Sequence, residues 1–89
     1  MQPMTLITAP NATALIEIAE SANAPYELDA GTFEHREFLA RDGWRVVIFY
    51  DDGDLDYIEH FIAPDGTIVD FWKWPDDLPG RDMLVGWRG

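Results

Sequence analysis

Cysteine is absent from this chain, lysine occurs once, at Lys73, and serine occurs once, at Ser21. Without cysteine there is neither a disulfide framework nor a thiolate metal site, a usage that fits a reducing cytoplasm. A Gly-x-Ser-x-Gly elbow and a phosphate-binding glycine loop are both missing, and the lone serine falls in a helical segment, so the common nucleophile and phosphate motifs have no residues to form them. No basic residue precedes Arg36, which argues against a signal peptide. No apolar run approaches the roughly 20 residues of a membrane helix. The expectation is a cytoplasmic protein with no membrane contact.

Positive charge is the most telling shortage. Six Lys and Arg face seventeen Asp and Glu, a formal net charge of −11. Between Val46 and Trp72 there is no Lys or Arg, while seven acids fall there: Asp51, Asp52, Asp54, Asp56, Glu59, Asp65 and Asp70. Such a field repels nucleic acid and anionic membrane. It attracts a basic protein surface and speeds encounter with it. The plainer reading is that acids keep an aromatic-rich protein soluble.

What the chain does have is turns and aromatics. Its 89 residues suit one small domain, 1–89, with a thin core that the twelve Phe, Tyr and Trp help to fill. Asp42-Gly43, Asp52-Gly53 and Asp65-Gly66 separate runs rich in aromatic and β-branched residues, and Asp-Gly is favoured in tight hairpins because glycine tolerates positive φ. Three in succession argue for an antiparallel meander. Before it, Asn11–Asn23 reads as a helix with Pro10 in its first turn. Leu15, Ile18, Ala19 and Ala22 form its apolar stripe, broadened by Ile16, and Asn23-Ala24-Pro25 ends it. Residues 1–9 read as partly extended.

Phe33–Arg41 is either strand or helix. A strand is favoured because Asp42-Gly43 then makes a two-residue hairpin, although Glu, Arg, Leu and Ala are good helix formers. Trp44–Asp51 is apolar on both faces in the middle, as for a central strand covered on both sides by the helix and by the C-terminal segment or another molecule. Leu55–Ala63 reads as a regular strand, with Leu55, Tyr57, Glu59 and Phe61 opposite Asp56, Ile58, His60 and Ile62. Thr67–Trp74 reads as the fourth strand, with Ile68, Asp70, Trp72 and Trp74 on one face, ended by Pro75. A helical turn at Arg81–Val85, capped by Gly86, follows. The expected fold is α+β: an N-terminal helix packed on a four-stranded antiparallel β-meander, with a short C-terminal helical turn.

The stretch Gly43-Trp44-Arg45-Val46-Val47-Ile48-Phe49, Gly53-Asp54-Leu55-Asp56-Tyr57, Ala63-Pro64-Asp65-Gly66 and Trp74 resembles a group of small proteobacterial proteins known as a domain of unknown function. The resemblance covers about Gly43–Trp74 and implies no activity, because the family has none assigned. A looser similarity, of type and not of motif, is to anti-CRISPR and anti-restriction proteins. These are often single acidic domains of this size, and several imitate the charge of DNA.

Four constellations carry candidate chemistry. Asp51-Asp52-Gly53-Asp54-Leu55-Asp56 suggests calcium, but counting from Asp52 an EF-hand would need glycine at Tyr57 and glutamate at Ala63. It reads instead as a hairpin with solvated acids, Asp54 and Asp56 sharing one face, or as an acidic knob for a partner's Arg and Lys. His35 and His60 stand beside Glu34, Glu37 and Glu59, but a zinc site would need strands one and three to approach. Carboxylate pairs for hydrolysis need a cleft that so small a domain has little room for. Phe71, Trp72, Trp74 and Trp87 suggest a core closed by the C-terminal tail or an interface, including a homodimer. Direct nucleic-acid stacking needs a basic groove, which is lacking. The reading is a non-enzymatic acidic binding protein without cofactor or metal. Its partner would be a basic protein of a nucleic-acid-handling complex, bound through Asp51, Asp52, Asp54, Asp56, Glu59, Asp65, Asp70, Trp72 and Trp74. The alternatives are a self-associating structural module and, third, a metal-dependent enzyme.

Overall fold

A computed structural model describes residues 11–89. The expectations for residues 1–9 and for Pro10 lie outside the described residues. Helix α1 (Ala12–Ser21) begins where the Asn11 side chain accepts the Ala14 N–H at 2.8 Å, satisfying one of the unpaired donors of the first turn. Its buried stripe is Ala12, Leu15, Ile18 and Ala19. The single serine ties off the other end: Ser21 Oγ–H donates to the Ile18 carbonyl at 2.6 Å, and the same oxygen accepts the Arg41 N–H at 2.9 Å. The end of the helix is thereby fixed to the first hairpin turn.

Four antiparallel strands follow in chain order: β1 (Phe33–Leu39), β2 (Arg45–Asp51), β3 (Asp54–Ile62) and β4 (Ile68–Val69). Helix α2 (Arg81–Val85) closes the chain. The fold is α+β, as the periodicities indicate, and Phe33–Leu39 is strand, not helix. The three Asp-Gly pairs solve three different turns. Asp51 pairs with Asp54 around Asp52-Gly53, both at positive φ (54° and 84°), the conformation of a two-residue type I′ hairpin. Asp42 and Gly43 also take positive φ (56° and 81°), but Ala40 pairs with Trp44, so Arg41 is an extra residue and the connection has three, not two. At Pro64-Asp65-Gly66 only the glycine is left-handed (φ 91°), and Gly66 N–H donates to Ala63 C=O at 2.8 Å. This is the three-residue loop of a type I turn followed by a bulge glycine.

Strand β3 departs from simple alternation. Tyr50 pairs with Leu55 but Phe49 with Tyr57, and Ile48 pairs with Ile58 but Val47 with His60. Asp56 and Glu59 therefore have no partner on β2, and each is the extra residue of a β-bulge. Each bulge flips the side-chain order once, so Leu55, Ile58 and Phe61, three apart, all point into the core. The expected split of Leu55 and Ile58 between opposite faces is thus corrected. So is the even spacing of Asp54 and Asp56 along one face.

The fourth strand is also shorter than expected. Pairing stops at Val69, and Asp70 accepts the Trp72 N–H at 3.2 Å, starting a 3₁₀ turn at Phe71–Lys73. The turn sends Phe71 into the core and Trp72 out, so Asp70, Trp72 and Trp74 do not share a strand face. One cluster joins Leu15 and Ile18 of α1, Val46, Ile48 and Tyr50 of β2, Leu55, Ile58 and Phe61 of β3, Phe71, and Leu84 of α2. The C-terminal segment thus packs on the same side as α1, which corrects the expectation that this segment covers the other side of the sheet. Fully buried Tyr50 donates its hydroxyl to the Pro25 carbonyl at 2.5 Å, anchoring the connection between α1 and β1. Burial raises its pKa, opposed in part by Arg36.

The bulges make a stability prediction that regular alternation does not. Ile58→Ala should cost about 2–5 kcal/mol, as for a buried isoleucine, whereas Glu59→Ala should stay within roughly 0.5 kcal/mol of the parent. Urea denaturation of both variants checks this; equal small losses would contradict the bulged register.

Candidate functional site

The acidic hairpin tip is held, not free. Asp52 Oδ1 accepts the Gly31 N–H at 2.8 Å, Leu28 N–H donates to Gly53 C=O at 2.7 Å, and Gly53 N–H donates to Thr32 C=O at 3.0 Å. Glu27 forms an antiparallel bridge with Asp54. Gly53 cannot be replaced without strain, because a Cβ there would lie 2.7 Å from the Asp29 carbonyl oxygen at a φ of 84°. The connecting segment therefore adds Glu27 and Asp29 to the acids of the tip, and Asp52 is a structural acceptor as well as a charge.

Charge pairing is uneven across the described residues. Arg36 pairs with Glu34, Arg41 with Glu17 and Asp42, Arg45 with Glu37, Lys73 with Asp70 and Arg81 with Asp76. Arg88 instead donates to the Val85 and Trp87 carbonyls. Among the described residues, no ion pair includes Asp51, Asp52, Asp54, Asp56 or Asp65. Glu59 meets only His35, whose Nε2 lies 3.3 Å from its carboxylate. That contact spans β2, so side chains of β1 and β3 do reach one another, contrary to the expectation from strand order. No group of three or more His, Asp or Glu among the described residues is arranged to hold a metal ion.

Beside this charge runs an aromatic row. On the sheet face away from α1, His35, Phe49, Tyr57 and Trp72 follow one another across the strands, with ring centroids 4.8, 5.3 and 5.7 Å apart. Trp72 is set by the 3₁₀ turn: its Nε1–H donates to the Ile58 carbonyl at 2.8 Å, on the part of β3 beyond its pairing with β4. The rings of Tyr57 and Trp72 meet nearly edge-to-face, at 82°. With Glu59 and Asp70 they line a shallow hollow of about 290 Å³. Burial raises the Tyr57 pKa, and the charges of Glu59 and Asp56 raise it further. A second hollow, of about 250 Å³, lies at the end of α1 between Ala19, Tyr26, Leu55 and Trp87, with Glu20 as its one charged wall.

The residues singled out from sequence thus divide. Asp51, Asp52 and Asp54 crowd the hairpin tip; Asp56 and Glu59 are the two bulge residues; Asp70 and Trp72 adjoin Glu59 across the hollow. Asp65 sits apart in the β3–β4 turn, where its carboxylate accepts the Thr67 N–H at 2.9 Å. Trp74 and Trp87 are half-buried against the core and do not join Trp72 in one outward surface. Tyr57, Phe49 and His35 are the members that the sequence reading did not bring into this row: it set Tyr57 on the face of Leu55 and weighed His35 only for zinc. The signal was the three-residue spacing of Leu55, Ile58 and Phe61, which requires bulges and so turns Tyr57 to the Phe49 face.

No family model, curated protein or solved structure matches this chain. Among the described residues, no helix is long and apolar enough to cross a membrane.

The Thr67 hydroxyl first, and its backbone N–H second, hold the Asp65 carboxyl below the ordinary aspartate range. Such a shift favours folding above the unfolded pKa and is lost as pH falls through the folded one. Thr67→Val removes the hydroxyl and keeps the N–H. An NMR titration should place the Asp65 midpoint below that of an unstructured aspartate, and higher in the variant than in the parent. Identical midpoints would contradict the assignment.

Proposed function

We propose that this protein is a non-enzymatic acidic binder. It engages a basic protein surface, of the kind found on nucleic-acid-handling complexes, and inhibits by occupying it. Its carboxylates would stand in for phosphates, in the manner of DNA-mimic and anti-CRISPR proteins. The observation that carries the reading is the uneven pairing. The cations are drawn to Glu17, Glu34, Glu37, Asp42, Asp70 and Asp76, while among the described residues Asp51, Asp52, Asp54 and Asp56 at the hairpin and on β3 lie outside every ion pair. An uncompensated field of this kind steers a positive partner and is short-ranged in salt.

The alternative, a self-associating module, draws on the exposed Phe33, Leu39 and Ile68, whose burial in a dimer would explain their exposure. Light scattering separates the two: a monomer agrees with the acidic binder, and a stable dimer that protects these side chains favours the module.

Binding should respond to charge before shape. Captured partners from a bacterial lysate should include nucleic-acid-processing proteins, and their affinity should fall steeply between about 0.1 M and 1 M salt as the screening length drops from roughly 10 to 3 Å. The association rate should fall most. An Asp51/Asp54/Asp56→Asn variant should bind such a partner at least about tenfold more weakly, the size of change seen when close charge pairs are lost. Affinity indifferent to both salt and substitution would overturn the proposal.

A further inference from the structure

We infer that the hollow between Tyr57, Trp72, Glu59 and Asp70 is the seat of a single arginine side chain of the partner. The inference rests on the acidic-binder reading and names the group that would anchor it. The two rings meet at 82°, so a planar cation can lie flat on one face while the edge of the other closes the corner. Two carboxylates stand at the rim, each about one-third to two-fifths exposed. Both keep acceptor capacity. Glu59 has His35 near one oxygen only, and Asp70 gives one oxygen to the Trp72 N–H, with the exposed Lys73 ammonium 4.0 Å from the other.

The geometry favours guanidinium over ammonium. A hollow of about 290 Å³ is roomy for a point charge but suits a planar fork. Arginine can stack on an aromatic face and still send donors to two separate carboxylates, which lysine's compact head does less well. The corner is also held in place beforehand. Trp72 is fixed by its hydrogen bond to the Ile58 carbonyl and by the turn that Asp70 caps, and Tyr57 is braced by Phe49. Glu59 is aimed here because it is a bulge residue: in a regular strand of the same sequence it would lie on the face of Leu55 and Phe61. The negative potential that Glu59 and Asp56 impose on the Tyr57 phenol is the same potential that a cation would meet there. Fixed geometry of this sort lowers the ordering cost of binding.

Two capped peptides of identical length, one carrying spaced arginines and the other lysines at the same positions in a Gly/Ser background, test this on the whole protein at low salt. Heteronuclear NMR follows the Trp72 indole N–H, assigned with Trp72→Phe. The arginine peptide should bind about tenfold more tightly than the lysine peptide, and should move the Trp72 indole and Tyr57 signals. A Glu59→Gln/Asp70→Asn variant, which keeps side-chain size and the cap, should lose that preference. Asp51→Asn/Asp54→Asn, which removes as much charge at the tip, should weaken both peptides alike and keep it. Equal binding of both peptides, with shifts confined to Asp51–Asp56, would overturn the arginine seat while leaving the acidic binder standing. Absence of binding by either peptide would overturn both.

Discussion

Six fixed cations cannot neutralise seventeen carboxylates, and the rest of this structure follows from where the surplus is put. The strands could not all be alternately apolar and charged without placing like charges opposite one another, which is destabilising. The chain's answer is spatial. Bases sit on β1, in the first turn, at the start of β2 and in the C-terminal third, and all but Arg88 are within reach of an acid. From Val46 through the β2–β3 turn to the end of β3 there is no Lys or Arg. There the charges are spread by geometry: Asp52 is absorbed as a backbone acceptor, and Asp56 and Glu59 are lifted out of register as bulges.

The bulges serve the fold as well as the charge. Among the described residues, beyond its two residues of pairing with β4, the outer side of β3 has only the bridge from Glu27 to Asp54 as a strand neighbour. An open edge of this kind invites pairing with other chains, and acids and bulges are common means of discouraging it. The Trp72 indole supplies one further hydrogen bond along that side, in place of the backbone that turned away at Asp70. The same arrangement that protects the edge leaves an aromatic corner beside carboxylates. A protective role and a binding role therefore draw on the same residues, and they differ in what each requires of Trp72. Protection needs only its indole N–H, whereas recognition needs its ring face.

Much of this is legible in the sequence. The stripe of α1, the strand assignment of Phe33–Leu39 and the order of the meander follow from apolar periodicity and from glycine's tolerance of positive φ. The departures share a cause: local rules stop applying where side chains compete for backbone groups. Asp70 reads as a strand residue until its carboxylate is seen to cap a turn. Arg41 reads as strand until Ser21, twenty residues away, takes its N–H. The bulges were written in the spacing of Leu55, Ile58 and Phe61, which strict alternation cannot bury together. The position of Trp72 was not legible, because it depends on a long-range bond to the Ile58 carbonyl that no local pattern encodes.

The most direct test of the whole account is the dependence of thermal stability on ionic strength, compared between the parent and a variant neutralised at Asp51, Asp54 and Asp56. Added salt screens repulsion where charge is uncompensated and weakens attraction where it is paired. The parent should therefore gain stability as salt is raised from a low level, and the variant should begin more stable and gain less. A parent that loses stability as salt rises, or a variant that responds as the parent does, would show that the surplus is not where this structure places it.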